Sequence, residues 1–267
     1  MKVKVSLGQM DVKIGDVVSN LATVQAMTAE AAKLGSDLVV FPELWSTGYD
    51  LKHAADHATV TDSGVFSAVA ALAREQNIAI VGSMLSDLGK GRFGNTAVFF
   101  DRQGNSLGEY SKIHLFRLME EEKYLTAGEW LSLVDAQWGK IGLAICYDLR
   151  FPELFREYAL AEASMVILPA EWPKPRLAHW LTLLKARAIE NQMFVVACNR
   201  VGQSGDNTFF GYSCIIDPWG EFVVEAGEEA ILLTAEIDLA MVKAVRSKIP
   251  VFADRRPELY GKKNVVD

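Results

Sequence analysis

From Val3 to Gln9, apolar and polar residues alternate with the two-residue period of a half-buried strand. Leu21, Val24, Met27, Ala31 and Leu34 then recur at three- and four-residue steps, predicting an amphipathic helix that ends at Gly35. Leu38 to Phe41 reads as a short buried strand, stopped by Pro42-Glu43. Ser63 to Glu75 predicts a second helix with Ser63 as its N-cap, and Ile78 to Gly82 a third strand. Asn95 to Phe100 and Leu107 to Tyr110 flank a turn at Asp101-Arg102-Gln103-Gly104, the pattern of a hairpin. The polar stretch from Lys112 to Gly128 reads as a long loop.

A second round follows. Leu131 to Val134 and Lys140 to Ile145 predict a hairpin turning near Gly139. A helix is expected from Pro152 to about Glu162, a strand at Met165 to Leu168, a long helix from Leu177 to Asn191 and a strand from Phe194 to Asn199. Tyr212 to Asp217 and Glu221 to Glu225 form a hairpin around Pro218-Trp219-Gly220, and Ile231 to Ile237 is the last strand. The tail behind it carries Ile249, Val251, Phe252, Leu259 and Tyr260 among charges, without helix or strand period. Both rounds run strand, helix, strand, helix, strand, hairpin, so one domain of two sheets between helical layers is expected, without linker or repeat.

Composition narrows the class. The chain has 267 residues, 50% of them hydrophobic, enough for one substantial core. A net charge of −7 argues against nucleic acid or an anionic membrane as a partner. No run approaches the ~20 apolar residues that span a bilayer. Met1-Lys2-Val3-Lys4-Val5 runs directly into a strand and does not read as a signal peptide. Three cysteines without metal-type spacing suggest the reducing cytoplasm. The four histidines (His53, His57, His114, His179) include no H-x-x-x-H pair, so neither a metal nor an organic cofactor is expected.

Candidate chemistry centres on Cys146. The apolar run Ile141 to Ile145 ends at this cysteine, and Pro152-Glu153 opens a helix just beyond. Strand ends in open α/β sheets place reacting groups, although a free cysteine often only packs. Glu43 follows one apolar strand and Lys112 another; each reads alternatively as a loop residue. Together the three fit one chemistry. A buried carboxylate can take the thiol proton, and an ammonium can hold both a thiolate and the oxyanion of a tetrahedral intermediate. A Cys–His pair with His114 or His179 stays open. Cys198 and Cys214 lie inside predicted strands and read as core packing.

The motifs Phe41-Pro42-Glu43-Leu44, Lys112-Ile113-His114-Leu115-Phe116 and Cys146-Tyr147-Asp148-Leu149-Arg150-Phe151-Pro152-Glu153 stand in this order. Ala186-Arg187-Ala188-Ile189-Glu190-Asn191-Gln192, Asp217-Pro218-Trp219-Gly220-Glu221 and Arg255-Arg256-Pro257-Glu258-Leu259-Tyr260 follow them. On these residues, over nearly its whole length, the chain resembles the nitrilase (carbon–nitrogen hydrolase) superfamily. The resemblance implies an αββα sandwich over residues 1–267 that pairs as an αββα–αββα homodimer or a higher oligomer; the tail from about 240, apolar among charges, would then pack at the interface, with packing on its own subunit as the alternative. It implies Glu43 as general base, Lys112 as oxyanion stabiliser and Cys146 as nucleophile. It also implies a second glutamate that orients the lysine; Glu121 fits its spacing best, with Glu120 and Glu122 open.

Pro169-Ala170-Glu171-Trp172-Pro173 and His179-Trp180 resemble the amidase branch, omega-amidases most of all. The implied reaction hydrolyses an ω-amide of a short dicarboxylic acid to carboxylate and ammonia. Tyr49 and Trp172 would then line the pocket, and the backbone N–H of Tyr147 would serve the oxyanion. Arg150 or Arg176 would meet the substrate's acid; a structural salt bridge competes for Arg150, and a surface position for Arg176. Nitrile or N-carbamoyl amide hydrolysis would use the same three residues. A catalytically idle scaffold, or a glutaminase subunit needing a synthetase partner, are further alternatives.

Overall fold

The computed structural model describes residues 1–260. The chain opens with β1 (Lys2–Gln9), α1 (Val17–Lys33), β2 (Leu38–Val40), α2 (Ala54–His57), α3 (Gly64–Gln76), β3 (Ala79–Asp87), β4 (Phe93–Phe100) and β5 (Ser106–Ser111). It continues with α4 (Glu121–Tyr124), β6 (Leu133–Ala136), β7 (Gly139–Leu143), α5 (Pro152–Leu160), β8 (Met165–Ala170), α6 (Leu177–Asn191) and β9 (Phe194–Asn199). A ribbon of β10 (Val201–Ser204) and β11 (Asn207–Phe210) precedes β12 (Cys214–Ile216), β13 (Phe222–Glu225), β14 (Ile231–Asp238) and α7 (Ala240–Lys248). Two six-stranded sheets result, ordered β14-β1-β2-β3-β4-β5 and β13-β12-β9-β8-β7-β6.

Period-two alternation sorts side chains between layers. Leu38, Val40, Ala79, Val81, Ala97 and Phe99 share a core with the second sheet. Their neighbours Val39, Ile80, Val98 and Phe100 pack against Val24 and Ala31 of α1 and Phe66, Val69 and Ala73 of α3. On the far side, Leu154, Phe155 and Tyr158 of α5 and Trp180, Leu184 and Ala188 of α6 cover the second sheet. The order of layers is therefore αββα, as expected. Gly142 in β7 is required by this packing: a Cβ there would lie 2.6 Å from the Tyr158 ring. Among the described residues, no helix is long and apolar enough to cross a membrane.

Several boundaries differ from the sequence reading. Helix α1 starts four residues earlier, because Asp16 accepts from the Ser19 N–H at 3.0 Å and caps it. Ser63 precedes α3 but does not cap it; its hydroxyl donates to the Val60 carbonyl instead. The ribbon β10–β11 was not anticipated, since both strands are short and rich in polar residues. The tail is not irregular throughout. Its first part is α7, in which Val242 and Val245 are buried three residues apart. Beyond α7, Phe252 lies between the Arg156 and Arg246 guanidinium groups, against its own subunit. The last residues of the expected tail, 261–267, lie outside the described residues.

Candidate active site

Glu43, Lys112, Cys146 and Glu171 each follow the end of a strand: β2, β5, β7 and β8. Strands of both sheets thus deliver side chains to one end of the sandwich. The Phe41 N–H extends the β2–β3 pairing to Val81, and the Leu44 N–H donates to Ser83 Oγ at 2.9 Å, so Glu43 enters on a fixed backbone. Lys112 is held on both sides of its peptide, by the Asn95 carbonyl and the Gly128 N–H, each at 2.9 Å.

Cys146 adopts φ +44°, a left-handed backbone that a non-glycine residue holds only under external constraint. The constraint is Asp148. Its buried carboxylate accepts from the Ile145 N–H (2.8 Å), the Tyr110 hydroxyl (2.7 Å) and the His114 N–H (3.2 Å). The His114 ring adds Nδ1 at 2.7 Å and stacks on Phe151 with centroids 3.6 Å apart. The elbow is thereby tied to the segment that carries Lys112. The helical turn that begins at Cys146 leaves its first N–H groups without partners inside the turn, a ready place for negative charge.

Lys112 Nζ donates to Glu43 Oε1 at 2.7 Å and to Glu121 Oε1 at 2.6 Å, and all three side chains are fully buried. Glu43 also accepts from Asn95 Nδ2 (2.7 Å) and from the Glu171 N–H (2.9 Å). Glu121 accepts from the Tyr49 hydroxyl (2.6 Å) and the Phe116 N–H (2.7 Å). Of the three adjacent acids, Glu121 is the one at the lysine. Glu120 is exposed and pairs with Lys123, and Glu122 is exposed.

Burial alone would strip the Lys112 proton, but Glu121 and Glu43 outweigh it and hold the ammonium above the ordinary lysine range. Burial pushes the Cys146 thiol well up and Glu43 adds to this, while Lys112 opposes both. The resting cysteine is therefore a thiol, beside a base able to take its proton and a cation able to receive the charge that follows. Burial also raises Glu121, against the pull of Lys112.

A narrow cleft opens on Cys146, with Phe116, Tyr147, Arg150, Glu171, Trp172 and Arg176 among its walls. Tyr147, Trp172, Arg150 and Arg176 are thus brought to the cysteine. Tyr49 is not among these walls; the left-handed turns at Leu44 and Gly48 carry it behind Lys112, onto Glu121. Arg150 forms no salt bridge among the described residues. It lies over the Trp172 ring at 4.8 Å and 3.3 Å from His179 Nδ1. Arg176, half-buried at the start of α6, lies 5.6 Å over Phe116. Neither His114 nor His179 bonds to Cys146, so the pairing left open by the sequence is not made.

Cys198 and Cys214 are buried, and burial raises both thiols. Among the described residues no cluster of three His, Cys, Asp or Glu side chains is placed to hold a metal ion. The sequence reading missed Asn95, Asp148, Glu171 and Arg200. Asp148 carried a signal, since an acid two residues past a strand-end cysteine can cap the turn that follows. Glu171 carried the same one as Glu43, an acid just past an apolar strand, and Asn95 and Arg200 carried none.

A family model for carbon-nitrogen hydrolases matches residues 4–247. The chain is 40% identical over 260 residues to the 2-oxoglutaramate amidase of Bacillus subtilis, covering 97% of this chain and 100% of that protein. It is 31% identical to the mouse omega-amidase NIT2 over 250 residues, 90% of this chain and 91% of that one. Among solved structures, a CN-hydrolase superfamily protein from Xanthomonas campestris with an arsenic adduct in its active site superposes with a TM-score of 0.90. Identity there is 29%, over 96% of this chain and 98% of that one. A mutant amidase from Nesterenkonia sp. AN1, with the acetamide moiety of fluoroacetamide added covalently at the active-site cysteine, superposes with a TM-score of 0.86. Identity is 27%, over 97% of this chain and 95% of that one.

Proposed function

The chain belongs to the carbon-nitrogen hydrolase family, and we propose that it hydrolyses the ω-amide of a short dicarboxylic acid, such as 2-oxoglutaramate, to carboxylate and ammonia. One observation carries the chemistry: a fully buried Lys112 shared between Glu43 and Glu121 against the Cys146 thiol. Glu43 takes the thiol proton as sulfur bonds to the amide carbon. The carbonyl electrons move to oxygen, which rests against Lys112 and the Tyr147 N–H. Collapse breaks the C–N bond, and Glu43 returns its proton to the leaving ammonia. Glu43 then draws a proton from water as the hydroxide adds to the thioester, and releases it to the departing thiolate. Glu121 orients Lys112, and Tyr49 orients Glu121.

Arg150 and Arg176 supply the reading of the distal acid. Both flank the cleft, and neither has a carboxylate partner among the described residues. Trp172 closes the wall between them. The names of the amidase relatives support the same substrate class. We further assign the chain to the cytoplasm, as one domain assembling into a homodimer or larger oligomer. Its three free cysteines and the exposed Ile249, Leu259 and Tyr260 of the tail support that reading. A monomeric mass in solution would contradict the assembly.

The test is ammonia release over a panel of 2-oxoglutaramate, succinamate, aliphatic amides, an N-carbamoyl amino acid and two nitriles. Acid-bearing amides are expected to lead. Arg150→Ala and Arg176→Ala should raise KM for them roughly tenfold more than for a neutral amide, the loss of one charge-assisted contact each. A preference for nitriles or carbamoyl compounds would keep the mechanism and remove the substrate. An active Cys146→Ala would remove the mechanism.

A further inference from the structure

Glu171 stands at the edge of this chemistry without a part in the steps above. Its peptide N–H donates to Glu43 Oε2 at 2.9 Å. Its own carboxyl group is buried, and only one of its oxygens is bonded, Oε2 to Arg200 Nη1 at 3.2 Å. Oε1 has no partner. A buried carboxylate with one bare oxygen is costly, whereas a neutral acid in the same place costs far less.

Arg200 is already engaged. It donates to Asp11 Oδ1 (3.0 Å), the Val12 carbonyl (2.6 Å), Ser204 Oγ (3.0 Å) and the Val201 carbonyl (3.1 Å). Lys112 is shared between Glu43 and Glu121. Asp11 is largely exposed to solvent, so the buried balance is two cations, Lys112 and Arg200, against three carboxyl groups, those of Glu43, Glu121 and Glu171. Both oxygens of Glu43 and of Glu121 are hydrogen-bonded, so the group best held neutral is Glu171, with its bare Oε1. The groups acting on Glu171 are Arg200 after β9, Glu43 after β2 and Lys112 after β5, with the Tyr49 hydroxyl nearby.

We propose that Glu171 serves as a neutral carboxylic acid, a positioning residue that holds Glu43 through its peptide N–H, and that loss of its proton sets the alkaline limit of turnover. The reason is electrostatic. A new carboxylate beside Glu43 makes Glu43 hold its proton more tightly and opposes both the thiolate and the oxyanion. Burial, assisted by Glu43 and opposed by Arg200, pushes the Glu171 carboxyl up to about 8. Cys146, Lys112 and Tyr49 are all moved upward, away from that range, and because burial raises Glu121 as well, the Glu171 variants decide which carboxyl sets the limit. The inference rests on the Cys146 mechanism and not on the choice of amide.

The experiment is the pH profile of kcat/KM for wild type, Glu171→Gln and Glu171→Asp on the best amide of the panel. Wild type should fall about tenfold from pH 7 to pH 9, as one group near pH 8 loses its proton. Glu171→Gln, which cannot ionise, should flatten that fall to under about threefold, and Glu171→Asp should keep it. A wild-type profile without an apparent pKa near 8 overturns the proposal whatever the variants do, as does an unchanged fall in Glu171→Gln. Thermal melts give a readout that separates this role from a structural ion pair. The protonated folded form contributes stability that is full below the unfolded carboxyl pKa, near 4.5, and is lost as pH rises through about 8. The melting temperature of Glu171→Gln should therefore gain on wild type over that window. An ion pair with Arg200 would instead hold the carboxyl below its unfolded value, so the difference between the two proteins would stay flat over that window and change only below about pH 4.5, and observing that would overturn the assignment.

Discussion

Cys146 and Cys198 are near neighbours in kind: both buried, both close to the C-terminal ends of parallel strands in the second sheet, both with thiols pushed up by burial. They differ in what surrounds them. Cys198 lies inside β9, where only Ser213 and the Gly8 backbone act on its sulfur. Cys146 lies past the end of β7 on a left-handed backbone, where Glu43 and Lys112 act on it. Burial therefore does not distinguish a nucleophile from a packing residue. A base and a cation brought from other strands do.

The sharpest way to break this contrast is to remove each sulfur in turn. Cys146→Ala should lower kcat/KM by roughly 10⁴-fold or more, since no step of the proposed mechanism survives it. Cys198→Ala should stay within about twofold in the same ammonia assay. Next in size is Lys112→Met. It leaves Glu43 and Glu121 buried without their shared cation, so a loss of about 3–5 kcal/mol in urea unfolding is expected along with the loss of activity. Cys198→Ala, which removes only a small apolar contact, should lose about 1–2 kcal/mol. Tyr49→Phe removes one hydrogen bond to Glu121, at 2.6 Å. A fall in kcat of roughly tenfold is expected, the equivalent of about 1.4 kcal/mol, with little change in KM. The smallest effect sharpens the comparison. With iodoacetamide in limiting amount, peptide mass analysis should find the adduct on Cys146 and leave Cys198 and Cys214 unmodified, because reactivity follows access and a neighbouring base.

Much of this protein was readable along the chain, because local physics set it. Apolar alternation located β1, short apolar runs located strands such as β2 and β7, and three- and four-residue steps located α1. Pro152 marked the start of α5, and Gly104 and Gly139 marked hairpin turns at positive φ. The strand-end positions of Glu43, Lys112 and Cys146 were visible in the same way, since each follows an apolar run. What was hidden depends on contacts between distant segments. The helix α7 escaped notice because its buried face is only Val242 and Val245, too short for a period to register. Arg150 carried no mark to tell a cleft wall from a salt bridge; only the placement of Trp172 and His179 decided it.

The second carboxylate of the lysine and the neutral acid beside the base mark the boundary most clearly. Glu120, Glu121 and Glu122 are chemically identical in sequence, and only the left-handed residue at Glu120 and the turn of α4 send Glu121 inward to Lys112. Glu171 in a string of letters is one acid after a strand. Its burial, its bare oxygen and its distance to Arg200 exist only once β8 pairs with β9 in one sheet and the end of β2, in the other sheet, brings Glu43 against them. Periodicity is a property of neighbours along the chain, so the sequence alone determined layers, strand ends and candidate groups. Charge balance in a buried site is a property of neighbours in space, so only the tertiary structure decided which acid meets the lysine and which is left with a bare oxygen.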